Sequence, residues 1–271
     1  MAKKTVQVHV PYGVLLERFD ELLGKNINPE VLLDGDALDN ATPYDLARIR
    51  ESFGGKGLSI TIHGPYLEIN PGAIDEEVRL KTVEQYRKVF KAAAYLKPIN
   101  IVLHAGYHPR KYHGNASLWL AQSMKTWPEF VSEAERLGVT IAVENIFERS
   151  TDTLTTLVET INSPNLRLCL DSGHLSAFAR GDMDEWVSAL GPYLAEVHLH
   201  DNTGNADEHL PVGEGSIDFG RLVTLIEKYA PDPVYTIEPH GEGAIERGVE
   251  AITRFLEGRP SPESSPDGQS S

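Results

Sequence analysis

Short apolar runs alternate along the chain with longer segments of helical spacing. The runs are Thr5–Val10, Glu30–Leu33, Leu58–His63, Asn100–His104, Val139–Glu144, Leu166–Asp171, Leu194–His200 and Pro233–Glu238. Several hold consecutive aliphatic residues, as in Ile101-Val-Leu103 and Ile141-Ala-Val143. That pattern suits parallel strands buried on both faces. Between the runs, Glu76–Leu96 repeats apolar residues at three- and four-residue spacing through Val78, Val83, Tyr86, Val89, Phe90 and Ala93. Trp119–Leu137, Thr153–Ile161, Phe219–Tyr229 and Ile245–Leu256 follow the same period and predict helices. Asp152 and Asp218 stand where N-caps belong, Gly138 and Gly191 where C-caps belong, and Pro43 and Pro128 in first turns.

Eight strand–helix units in one chain imply parallel pairing with right-handed crossovers. A closed (β/α)8 barrel needs about 250 residues, and the chain has 271. The prediction is therefore a single α/β domain over residues 1–257, a closed barrel rather than a doubly wound sheet. Residues 258–271 are rich in Pro, Ser and Gly without apolar periodicity, and read as a disordered tail.

In such a barrel all strand C-termini open on one face, so residues far apart in sequence meet there. The predicted strands finish on His63, His104, Glu144, Asp171, His198 with His200, and Glu238. His174 follows Asp171 in Asp-Ser-Gly-His, and Asp207 and His209 follow the seventh strand. A single strand-end histidine is ordinarily structural. Here six of ten histidines lie at predicted strand ends or within three residues of them: His63, His104, His174, His198, His200 and His240. Carboxylates crowded among them repel one another and lose hydration unless cations compensate. The pattern points to divalent metal. His9, His108 and His113 find no partner in it.

Charge and composition narrow the function further. Forty Asp and Glu against 25 Lys and Arg give −15, and no basic face is visible, which argues against a nucleic-acid partner. One cysteine, Cys169, excludes an intramolecular disulfide framework and a thiolate-rich zinc site, and reads as a small buried hydrophobe. No apolar run reaches the roughly 18 residues of a membrane span, and the N-terminus does not read as a signal peptide. A soluble cytoplasmic protein is expected, and a homo-oligomer is compatible with all of this.

The segments His63-Gly-Pro-Tyr66, Val102-Leu-His104-Ala-Gly106, Val143-Glu144-Asn145, Leu170-Asp171-Ser-Gly-His174, Val197-His198-Leu-His200-Asp201-Asn202, Asp207-Glu-His209-Leu-Pro-Val-Gly-Glu-Gly215 and Ile237-Glu238 occur in this order. As a set they resemble the xylose isomerase-like TIM barrel superfamily, over roughly residues 5–257. That superfamily contains sugar and sugar-phosphate isomerases, ketose epimerases and endonuclease IV-type apurinic nucleases. The ketose epimerase pattern implies one divalent ion between Glu144, Asp171, His198 and Glu238, with His174 on the substrate. The nuclease pattern implies up to three metals on His63, His104, Glu144, Asp171, His174, His198, Asp207, His209 and Glu238, and every one of those positions is retained.

The resemblance thus implies a divalent-metal-dependent sugar or sugar-phosphate isomerase or epimerase. Such an enzyme moves a proton on carbon beside a carbonyl, through a metal-stabilised cis-enediolate. Glu144 and Glu238 are the candidate proton-shuttling pair, and His174 and His200 candidate contacts to substrate hydroxyls. Zinc or manganese is expected, with cobalt or magnesium as alternatives, at one to three ions per chain. The alternative is an apurinic-site phosphodiesterase with a multinuclear zinc cluster. Tyr66-Leu67 stand where that family probes DNA, though local apolar packing is the favoured account of them, and the loop 68–77 beyond them is acidic. Arg110-Lys111 and Arg149 lie beyond the fourth and fifth strands, either as solvated loop charge or as a clamp for a substrate phosphate.

Overall fold

Eight parallel strands close into a barrel in the computed structural model, which describes residues 4–258 apart from 239 and 242. They are β1 (Val6–Pro11), β2 (Asn28–Leu32), β3 (Thr61–His63), β4 (Asn100–His104), β5 (Thr140–Glu144), β6 (Leu166–Asp171), β7 (Leu194–Leu199) and β8 (Val234–Ile237). They follow one another in chain order around the ring, and β1 closes it by pairing with β8. Residues 259–271, where a disordered tail is predicted, lie outside the described residues. No helix among the described residues is long and apolar enough to cross a membrane.

Successive strand residues point to opposite faces, and here the two faces differ in chemistry. Val8, Ile62, Ile101, Leu103, Ile141, Val143, Leu168, Leu170, Val197 and Tyr235 join helix residues such as Tyr86, Trp127, Phe130 and Leu222 in one apolar core. The alternate positions hold a polar network. Thr61 Oγ1 on β3 donates to Gln7 Oε1 on β1 at 2.9 Å, and Asn100 Nδ2 on β4 donates to Glu196 Oε2 on β7 at 3.0 Å. Thr236 Oγ1 on β8 donates to Glu196 Oε1 at 2.5 Å. Burial, with the charge of Glu30 beside it, pushes the Glu196 carboxyl up to about 8. Val102, Ala142 and Cys169 form a separate small apolar cluster, in keeping with the reading of Cys169. The strands are buried on both faces as predicted; the outer face is apolar, and the inner face is polar apart from that small cluster. This alternation already places His63, His104, Glu144, Asp171 and His198 on the same face as the polar network.

The predicted helices are present, with three corrections. Trp119–Leu137 is two helices, Ala116–Ser123 and Trp127–Leu137. Pro128 lacks the N–H to bond residue 124 but is tolerated in a first turn, so a new helix starts at Trp127. Asp152 is the first helical residue and not the cap. Thr151 takes the cap position without a side-chain hydrogen bond, and the Asp152 charge instead meets the helix dipole. Gly191 is not a left-handed cap: it is right-handed at φ −44° and opens a short 3-10 turn. Its need is space, since an added Cβ would sit 2.6 Å from Tyr229 Cβ. Asp218 does cap its helix, accepting from the Arg221 N–H at 2.9 Å, and Gly138 is left-handed at φ 69°.

Candidate metal centre

The strand pairing sets the first neighbours: His9 lies opposite Glu30, His104 opposite Glu144, and Asp171 opposite His198. Their side chains converge at the C-terminal end of the barrel. Glu144 Oε2 is 3.2 Å from both His63 Nε2 and His104 Nε2, and Glu144 Oε1 is 3.1 Å from His174 Nδ1. His198 Nδ1 lies between two carboxylates, 3.0 Å from Glu238 Oε1 and 3.8 Å from Glu144 Oε2. Both oxygens of Asp171 are 3.1 Å from His200 Nε2. Asp207 and His209 enter from the loop after β7: Asp207 Oδ2 is 3.4 Å from His174 Nε2, and His209 Nδ1 is 3.6 Å from Glu238 Oε2. All nine positions of the multinuclear pattern are thereby brought together, with His200 as a tenth.

Hydrogen bonds outside the cluster aim these groups. His63 Nδ1 donates to the Gly64 carbonyl at 2.7 Å, which leaves Nε2 facing Glu144. His198 Nε2 donates to Glu30 Oε1 at 3.1 Å, which leaves Nδ1 facing Glu238. Asn145 Oδ1 accepts from the Asp171 N–H at 2.8 Å, and Asp171 Oδ1 accepts from the His174 N–H at 2.6 Å. Asp201 accepts from the N–H groups of Asn202, Gly213, Gly215 and Ile217, which holds the loop carrying Asp207 and His209. At Gly173 an added Cβ would run into the His200 imidazole, so the glycine of Asp-Ser-Gly-His keeps that ring in place.

The electrostatics follow from this crowding. Burial opposes charge on Glu144 and Glu238, yet His104 and His198 beside the first, and His198 beside the second, hold both carboxyls well below the usual range. Burial likewise opposes a second proton on His63, and the hydrogen bond to Glu144 together with the charges of Glu30 and Glu144 outweighs it and lifts the imidazole to about 9. At His200 burial again opposes the proton, and the charge and hydrogen bond of Asp171 with the charge of Glu238 together overcome it and give about 8. His104 shares the same Glu144 oxygen and is lowered by its burial, so the carboxylate sustains one imidazolium better than two.

The donor set fits divalent cations. His198 Nδ1, His200 Nδ1, His209 Nδ1 and Asp207 Oδ1 are buried without a hydrogen-bond partner. His63 Nε2 and His198 Nδ1 face carboxylate oxygens, so without metal protons must sit between them, a place that a cation takes over. Ligand atoms of His63, His104 and Glu144 lie within 4.8 Å of one another, as do those of His63, His198 and Glu238, of Asp171, His174 and His200, and of His200, His209 and Glu238.

A family model described as the xylose isomerase-like TIM barrel matches residues 29–257. The chain belongs to that family. An uncharacterized protein of Methanocaldococcus jannaschii is 32% identical to it over 209 residues, covering 74% of this chain and 71% of the relative. An L-ribulose-5-phosphate 3-epimerase of Shigella flexneri is 26% identical, covering 67% and 64%. A probable endonuclease 4 of Mycoplasma mobile is 27% identical, covering 67% and 69%. Among solved structures, a D-tagatose 3-epimerase-like protein superposes with a TM-score of 0.81 at 28% identity, covering 93% of this chain and 97% of its own. The xylose isomerase-like family thus holds both chemistries that the sequence motifs resemble.

Three groups of this family member, half-buried His9 and buried Glu30 and Glu148, escaped the sequence reading. His9 Nδ1 is 2.7 Å from Glu30 Oε2 and 3.6 Å from Glu238 Oε1, so His9 has a partner after all. Glu30, fully buried, bridges His9 and His198. Glu148 accepts from the Ile146 N–H at 2.7 Å, and burial pushes its carboxyl up to about 7. The face alternation of β1 and β2 carried a signal for His9 and Glu30. Nothing in the sequence distinguished Glu148 from loop charge. His240, at the barrel mouth, stacks on His209 with ring centroids 4.1 Å apart, whereas His113 is exposed in a left-handed turn.

Proposed function

We propose that the chain is a divalent-metal-dependent sugar or sugar-phosphate isomerase or epimerase. The observation that carries this reading is the pair Glu144 and Glu238, two buried carboxylates from β5 and β8 on either side of His198. Glu144, Asp171, His198 and Glu238 would hold one ion, and His63, His104, His174, Asp207 and His209 supply donors for more. Such an ion, most suitably zinc or manganese for these nitrogen and oxygen donors, stabilises negative charge developing on substrate oxygens. Glu144 and Glu238 take and return the proton at carbon beside the carbonyl. His174, whose Nε2 faces the loop carboxylate Asp207, donates to a substrate hydroxyl. His200, buried against both Asp171 oxygens, fixes that carboxylate and is the less exposed of the two substrate contacts.

The test is metal-dependent deuterium uptake beside the carbonyl, with a panel of ketoses and ketose phosphates in deuterated water. Uptake with at least one sugar is expected. The second reading, an apurinic-site phosphodiesterase, is favoured by one observation: Asp207 and His209 join the cluster along with the other seven positions. Cleavage of an abasic duplex without uptake on any sugar would establish it in place of the first.

Glu30 completes a carboxylate–histidine pair behind the ion, fixing the His198 tautomer from outside. Glu30→Gln is expected to weaken zinc binding by about 10- to 100-fold in competition with a chromogenic chelator. Wild-type affinity in that variant would show that His198 needs no such support.

A further inference from the structure

Beside the cluster lies a cavity of about 640 Å³ lined by Arg110, Arg149 and Arg180, with Phe147, Phe178 and Asn205. Its aromatic wall leads to the centre. Phe147 meets Phe178 with ring centroids 5.0 Å apart, and Phe178 stacks on His174 at 5.5 Å. Among the described residues no carboxylate lines the cavity, although the chain has 40 acidic residues. Several arginines elsewhere take acidic partners: Arg18 is 2.6 Å from Glu21, and Arg87 and Arg136 are each 2.7 Å from a glutamate, whereas Arg48 lies over the Phe19 ring and Arg167 donates to backbone carbonyls. Among the described residues Arg110, Arg149 and Arg180 have no ion pair; Arg180 donates only to the Ala177 carbonyl at 3.4 Å.

All three are exposed, and what sets them apart is that they line one cavity. The three arginines come from loops after β4 and β5 and from the segment after β6, and self-repulsion should spread them apart. Arg180 also carries a backbone cost. It sits at φ 53°, a conformation disfavoured for a residue with a Cβ, at the end of the π-turn Leu175–Ala179. Burial lowers the basicity of His108, and the charges of Lys111, Arg110 and Arg149 lower it further, so the field at this mouth is positive in a chain of net charge −15.

We infer that Arg110, Arg149 and Arg180 form an anion subsite that takes the phosphate monoester of a sugar-phosphate substrate, held so that its carbonyl end reaches the cluster past Phe178 and His174. Guanidinium groups suit this task because their paired N–H donors match phosphate oxygens. The inference rests on the isomerase reading for the identity of the sugar part. The arginines lie outside the candidate proton-transfer pair, so their contribution is binding and selectivity.

The experiment titrates inorganic phosphate calorimetrically into the metal-loaded protein and its R149A, R180A, R149K and E238Q variants. Loss of phosphate affinity by about tenfold or more is expected for R149A and R180A, with a smaller loss for R149K and affinity close to wild type for E238Q. In the deuterium assay, the preference of kcat/KM for L-ribulose 5-phosphate over L-ribulose should collapse in R149A. Phosphate affinity unmoved by R149A and R180A overturns the inference, and so does affinity lost only in E238Q, which would put the anion on the cluster. Abasic duplex binding that depends on these arginines, without binding of inorganic phosphate, would reassign them to a nucleic-acid backbone. If uptake persists while the arginines prove irrelevant, the subsite alone fails. If no sugar takes up deuterium while phosphate still tracks the arginines, the isomerase premise fails, and the sugar-phosphate assignment with it.

Discussion

Chelation of divalent metal should abolish deuterium exchange and lower the melting temperature by about 10 °C, with both restored by adding zinc or manganese back. The size follows from linkage. A ligand present at about a thousandfold over its Kd stabilises the folded state by about 4 kcal/mol. For a domain of this size each kcal/mol is worth about 2–4 °C. The cause is local: Glu144, Asp171, Asp207 and Glu238 share one basin, and without cations their charge is balanced only by imidazoles that must take up protons. The pH sense follows. His63 and His200, lifted to about 9 and about 8 in the metal-free protein, must lose those protons to serve as ligands or neighbours. Protons therefore compete with metal below those values, and affinity should rise with pH from 6 to about 8. A melting temperature indifferent to chelator, with no metal found by elemental analysis of the purified protein, would defeat the metal reading and the mechanism built on it.

Glu238→Gln is expected to reduce deuterium exchange by about 10³-fold, in the range by which a positioned acid or base accelerates proton transfer. Glutamine keeps the shape and the contact to His198 Nδ1 but cannot accept the proton. Circular dichroism and the melting temperature of the chelated protein should stay close to wild type, because this change removes a buried charge without opening a cavity. Exchange at the wild-type rate would take Glu238 out of the reaction. Glu144→Gln is the harsher change: Glu144 faces His63, His104, His174 and His198 at once, so its loss should disturb metal content as well as turnover.

The barrel and most of its chemical centre were legible because both rest on local patterns. Each strand of a parallel barrel delivers its last inward residue to the same rim, so Glu144, Asp171 and His198 meet whatever the details of the loops. What escaped depended on register and depth. Placing the start of the second strand at Glu30 put that residue at the far end of the barrel. The strand begins at Asn28, which sets Glu30 opposite His9 and behind His198. The order of Gln7-Val8-His9-Val10 showed two faces, yet a partner 21 residues away is visible only once the strands pair. Arg180 was hidden for another reason. It belongs to a π-turn, whose spacing has no apolar period to betray it.

The ring is closed by β1 and β8, and the basin draws on both sides of that seam: Glu238 follows the last strand, while His9 belongs to the first. During synthesis His63 through His209 emerge before Glu238 exists, so a nascent barrel missing its final staves holds only part of the ligand shell. A metal that needs Glu238 would then be taken up only after the last strand is made. An ion seated there would tie the first and last strands together across the seam.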